Sequence, residues 1–202
     1  MRIVICKGQI LGPISGSDET LVTYAIQLQK AGHTVSVLLM YLYSEEDHYY
    51  QRLLKAGVRV SWLASKLAHT SLGTGRKLAY KMFEMFPSSK EIIRRKAQRV
   101  VTGMAMRYYQ PCRDYLAQQN ADLLHIMTPD PGAMVMIRAG HDAGIPVIYQ
   151  ELGLPFHPPD FESYYQQFTS VLPLCTEVAA LSPKLVEHCR EKLPTSTSLS
   201  VM

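Results

Sequence analysis

The sequence predicts an open parallel α/β sheet with helices on both faces. Three observations carry that prediction. Short apolar runs rich in β-branched residues alternate with longer helical segments in both halves of the chain. Glycines punctuate the ends of those helical segments. No paired cysteine pattern or bilayer-length apolar run offers a different organising principle.

The elements follow in order. Arg2–Lys7 is a buried strand, and residues 8–17 hold three glycines and a proline, so they form a loop. Ser17 is placed to cap a helix from about Asp18 to Ala31, with Leu21, Ala25 and Leu28 on one face, and Gly32 ends it. Residues 34–41 make a second strand. Ser44-Glu45-Glu46-Asp47 resembles a capping box that opens a helix to about Ala56. Gly57 stops that helix, and residues 58–63 make a third strand. After a long, mostly helical stretch at about 66–119, strands are expected at 122–127, 146–150 and 177–181. A helix fills 131–143, and Ser182-Pro183 opens another with serine as cap and proline at the first helical position. Residues 198–202 begin a further strand. Parallel strands joined by helical crossovers bury such runs economically.

In such sheets ligands sit beyond the carboxyl ends of the strands. That directs attention to residues 7–17, 127–132, 150–157 and 181–183. The 127–132 connection contains Asp130, and the 150–157 connection contains Gln150, Glu151 and His157. Gly12–Glu19 feeds a helix N-terminus, whose free N–H groups suit a phosphate or a sugar hydroxyl. The plain alternative is a simple turn. Several nucleotide and hydrolase motifs are missing: GxGxxG after the first strand, GxxxxGK[ST], HExxH and GxSxG. Gly73-Thr74-Gly75 is a lone GxG in a basic region. Cys6, Cys112, Cys175 and Cys189 are scattered, which reads as reduced thiols of a cytosolic protein.

Net charge is +4, unevenly spread: residues 66–113 hold eleven Lys or Arg against Glu84 and Glu91. Lys77, Lys81, Arg94 and Arg95 lie there among Leu78, Tyr80, Met82 and Phe83. The pattern fits a membrane or acceptor surface, or a solvated face whose apolar side packs on the sheet. Nucleic acid is not expected, because aromatic interleaving on exposed strands is lacking.

Residues 16–37, GSDETLVTYAIQLQKAGHTVSV, resemble the opening of the family-four retaining glycosyltransferases, through Gly16, Glu19, Gly32, His33, Val35 and Val37. Ser17 replaces that family's second glycine. Residues 122–126 (DLLHI), 144–149 (GIPVIY) and 178–185 (VAALSPKL) resemble further segments of the family in the same order. The resemblance implies a Rossmann-like N-terminal, acceptor-side domain of a GT-B enzyme, spanning residues 1–202 with a basic helical insertion at about 66–119. The C-terminal donor-binding domain is absent from this sequence, so the fragment alone is expected to be inactive.

It also implies a nucleotide-sugar donor bound through that other domain, a sugar or lipid-linked acceptor, and no metal or other cofactor. The location implied is cytoplasmic, with a peripheral contact at the inner membrane face. Substrate contacts are expected from Gly16, Ser17, Glu19, Asp130, Gln150 and His157. Glu151 stands where or near where the family places a histidine, and is the candidate catalytic residue; its plain alternative is a solvated loop glutamate. His125 reads as a core histidine with satisfied polar atoms. Two other readings stay open: a non-catalytic α/β binding or membrane-surface module, and half of a sugar-nucleotide epimerase-like enzyme.

Overall fold

The computed structural model describes residues 1–7, 16–40, 46–63, 105–127, 131–152, 167–195 and 197–202. Seven strands form one sheet: β1 (Arg2–Lys7), β2 (Thr34–Leu39), β3 (Arg59–Trp62), β4 (Leu123–Met127), β5 (Val147–Glu151), β6 (Glu177–Ala180) and β7 (Leu199–Val201). Their order is β3-β2-β1-β4-β5-β6-β7, and every pairing is parallel. The Rossmann-like α/β architecture read from the sequence is therefore the one observed. Among the described residues the main helices are α1 (Gly16–Lys30), α2 (His48–Lys55), α3 (Tyr109–Gln119), α4 (Pro131–Asp142) and α5 (Pro183–Lys192).

Strand alternation divides the core in two. Ile3, Ile5, Val35, Val37 and Leu39 meet Leu21, Val22 and Ala25 of α1 and Tyr49 and Leu53 of α2. Val4, Cys6, Leu124, Ile126, Val147 and Tyr149 pack on the opposite side with Cys112 and Leu116 of α3 and Met136 and Ile137 of α4. Buried on both faces, the central strands are mostly apolar on both sides, and the polar residues they carry (Lys7, His125, Gln150 and Glu151 among them) are buried too.

Local chemistry sets the ends. Gly32 closes α1 at φ +87°, a conformation that costs other residues a steric clash. Ser182 caps α5 by accepting from Leu185 N at 3.3 Å, with Pro183 next, as the sequence indicates. Two expected caps are corrected. Helix α2 starts at His48, and Asp47 caps it, its carboxylate accepting from Tyr49 N at 2.8 Å. Asp47 directly precedes the first turn, the usual cap position; the expected cap, Ser44, lies outside the described residues. Ser17 does not cap α1 but sits within its first turn, where its hydroxyl meets Lys7.

Gly140 packs α4 tightly on the sheet. A Cβ there would lie 2.6 Å from Leu124 Cδ2 and 2.8 Å from Val147 Cγ2. Gly140→Ala gains up to about 1 kcal/mol of helix propensity. It loses about 1–3 kcal/mol to overpacking, since the β-branched Val147 cannot turn aside freely. The expected net result is a small loss of stability, read as a lower urea midpoint at unchanged m-value.

Among the described residues, no helix is long and apolar enough to cross a membrane.

Candidate functional site at the outgoing strand ends

The sheet order changes direction at β1: β2 and β3 lie to one side, and β4 to β7 to the other. The crevice beyond the strand ends at such a reversal is the usual ligand position. On the α1 side, one register row crosses it, with Lys7 paired to Leu39 on one neighbour and to Met127 on the other, and Met127 paired to Gln150. Lys7 and Gln150, two strands apart, are about 10 Å from each other at this spacing.

Lys7 ends β1 and is buried, with only 3% of its side chain exposed. Its ammonium donates to Ser17 Oγ at 3.0 Å and to the equally buried Asp18 carboxylate. Both partners belong to the first turn of α1. The sequence signalled this contact only as a lysine closing an apolar run: Ile3, Ile5 and Lys7 share one face.

A second polar group lies in the same register row. Gln150 is fully buried, takes His125 Nε2 on its Oε1 at 3.0 Å, and donates from Nε2 to the Tyr24 hydroxyl at 3.4 Å. With the glutamine oxygen facing the ring, Nε2 carries the proton. Tyr24 of α1 stacks on His125, ring centroids 6.0 Å apart. Burial pushes the His125 pKa down to about 4, against an opposing contribution from the Gln150 hydrogen bond. His125 is thus a neutral, bonded core histidine at physiological pH.

Glu151 is the last residue of β5 and points to the opposite face from Gln150, as alternation requires. It is 3% exposed and accepts the Tyr149 hydroxyl at 2.7 Å. The solvated-loop reading of this glutamate is therefore set aside. Tyr149 in turn meets Phe168 edge-on at 5.1 Å.

The remaining candidates divide. Glu19 is half exposed and turned outward to Arg52 of α2, in a bidentate pair at 2.6 and 2.7 Å that lowers its pKa. Such exposed pairs are screened by solvent, so this one ties α1 to α2 only lightly. Gly16 is exposed at the start of α1, and a Cβ there would meet nothing within 4 Å. Asp130, His157, Lys77, Lys81, Arg94 and Arg95 lie outside the described residues. The structure thus brings Ser17 and Gln150 to the α1 face of the sheet, turns Glu151 to the opposite face, and sends Glu19 toward α2.

All four cysteines are free and buried. Burial pushes the Cys112 and Cys175 thiols up to about 12 and Cys189 to about 11, with the nearby Glu151 charge adding to the last. None is poised as a nucleophile. Among the described residues no group of three or more His, Cys, Asp or Glu could hold a metal ion. A groove of about 380 Å³ lies apart, between β3 and α3, lined by Arg59, Ser61, Trp62, Tyr115 and Gln118 among others; it shares no residue with the crevice.

No family model and no curated protein matches the chain. Solved structures do. UDP-GlcNAc 2-epimerase from Neisseria meningitidis, bound to UDP-GlcNAc, matches all of this chain with a TM-score of 0.59 at 14% identity, over 46% of its own length. The HepE protein of Anabaena, in complex with UDP and glucose, matches all of it at 0.55 and 15%, over 44% of its length. UGT2 of Phytolacca americana, in its apo form, matches all of it at 0.57 and 10%, over 51% of its length. The chain spans about half the length of these structures. At such identities the likeness establishes the fold, a GT-B-like Rossmann arrangement.

Proposed function

We propose that the chain is the acceptor-side lobe of a retaining glycosyltransferase that takes a nucleotide-sugar donor, with a second lobe closing the crevice over the donor. The observation that carries this reading is the placement of polar groups. The outgoing strand ends place the first turn of α1, the Lys7–Asp18 pair, Gln150 and Glu151 around the reversal in strand order. Proteins of the same fold have been seen with UDP, glucose and UDP-GlcNAc.

In this reading the N–H groups at Gly16 and Ser17 face a phosphate or a sugar hydroxyl, assisted by the helix dipole. Asp130 and His157 are assigned to acceptor binding in the same reading. Glu151 accepts a hydrogen bond from a sugar hydroxyl, or the acceptor's proton. Its bond from Tyr149 fixes the carboxylate at the strand tip. The departing diphosphate is balanced by helix N-termini and basic side chains, without a metal. Lys77, Lys81, Arg94 and Arg95 present a basic surface to a lipid-linked acceptor on the cytoplasmic membrane face.

A second reading is favoured by a specific finding. Several of the similar structures are UDP-GlcNAc 2-epimerases. The two readings part on products. The protein, joined with its second lobe, is incubated with UDP-GlcNAc and UDP-glucose, with and without sugar acceptors. A transferase releases UDP in step with glycosylated acceptor, while an epimerase yields a new sugar epimer without needing an acceptor. Neither product, together with no calorimetric binding, overturns both. Glu151→Gln keeps an acceptor for the Tyr149 hydroxyl, so folding should persist. Turnover is expected to fall about 10²–10⁴-fold if the carboxylate moves a proton. Unchanged turnover removes Glu151 from the mechanism.

A further inference from the structure

Three buried polar side chains of the sheet, Lys7, His125 and Gln150, face α1. Each is spent on that helix or on a neighbour that touches it. Lys7 holds Ser17 and Asp18, Gln150 holds Tyr24, and His125 stacks beneath Tyr24 and bonds Gln150. The helix also has an apolar stripe, Leu21, Val22 and Ala25, flanked by the partly buried Ile26 and Leu28, that packs it against the strands. A buried ion pair is poor value for stability, because well-packed apolar residues of similar volume do as well or better. What directional contacts add is a fixed rotation and axial position for the helix. Apolar packing leaves both looser. The ion pair sits at the one turn of α1 that borders the crevice.

We infer that Lys7 and Asp18 are a positioning pair: they set the first turn of α1 against the outgoing end of β1, so that its N–H groups meet the ligand's phosphate or hydroxyl in register. This rests on the sugar-nucleotide reading for the ligand, but the positioning itself can be tested without one. Ser17 is the contact through which Lys7 reaches the second residue of the helix, at 3.0 Å.

The test uses the double variant Lys7→Met/Asp18→Leu, which removes both charges together and leaves no buried ion unpaired. The variant is expected to fold, with a melting temperature close to that of the parent. Its amides at Thr20, Leu21 and Val22, whose hydrogen bonds close the first turn, should exchange about tenfold faster or more, with amides at 25–30 unchanged. UDP affinity by calorimetry, measured on the protein joined with its second lobe, should weaken about tenfold or more, since small misplacements of binding groups are costly. Lys7→Arg, which keeps charge and donors, should restore most of both.

Unchanged exchange at 20–22 overturns the inference, whatever UDP does. Faster exchange with unaltered UDP affinity also overturns it, because the turn would then lie outside the site. If the parent, joined with its second lobe, binds neither UDP nor UDP-GlcNAc, the sugar-nucleotide reading fails. The exchange comparison still decides whether the pair sets the turn.

Discussion

Lys7→Met alone is expected to lower stability by about 3–5 kcal/mol, because it strands the Asp18 carboxylate without its counter-charge. Both side chains are 3% exposed, so solvent cannot take over from the missing partner. For a chain of this size each kcal/mol moves the melting temperature by about 2–4 °C, so a drop of about 10 °C is the expected scale. Adding Asp18→Leu should return most of that loss. The contrast between single and double variants carries the argument. A lysine that merely filled space would cost the same in both, and the second substitution would then recover nothing. Equal melting temperatures for the single and double variants would show that the pair is hydrated and its energy small.

The reading of the fold and the reading of the site depended on different kinds of information. Most strands announced themselves locally, because residues such as Ile3–Cys6 or Val37–Leu39 are apolar on both faces to sit between helix layers. Gly32, Gly57 and Gly144 marked turns for an equally local reason, their positive φ. The site is not local. Gln150 meets Tyr24 across 126 positions, and that meeting exists because β4 inserts beside β1 and carries β5 after it. Nothing in the loops states that order.

Parity within a strand supplied a clue that could be read further. Lys7 falls on the same side as Ile3 and Ile5, so a charge was committed to a buried face and needed a partner. The first turn of the next helix, with Asp18 and Glu19, was the nearest source. Sequence alone could not decide between those two acids. The structure gives Asp18 to Lys7 and Glu19 to Arg52. Glu151 was misjudged as a loop residue in one of its two readings, because β5 runs one residue further than expected, to Glu151 itself.

Acid should loosen the fold through His125 before it does so through the paired carboxylates. Burial lowers this imidazole's pKa from about 6.5 to about 4 in the folded protein, so the unfolded chain takes up its proton first. The sign follows. Above about pH 6.5 the ring is neutral in both states and its contribution is complete. As pH falls toward 4 only the unfolded state gains the proton, and stability declines by up to about 1.4 kcal/mol per pH unit, or about 3 kcal/mol in all. Below about 4 the folded ring protonates too and the decline from this source ends. Asp122, held down to about 2 by its hydrogen bonds from Arg2, weakens the fold only at lower pH, so its effect falls largely outside this window. Urea midpoints at pH 7, 6, 5 and 4.5 measure the slope, and His125→Gln supplies the control. That variant keeps an amide donor toward Gln150 Oε1 but has no group that titrates here. Its stability should be nearly flat from pH 6.5 to 4.5 where the parent's falls. If the two curves run parallel, His125 is already protonated or solvated in the folded state. The Tyr24–His125–Gln150 stack would then not be the sealed contact between α1 and the sheet that its geometry indicates.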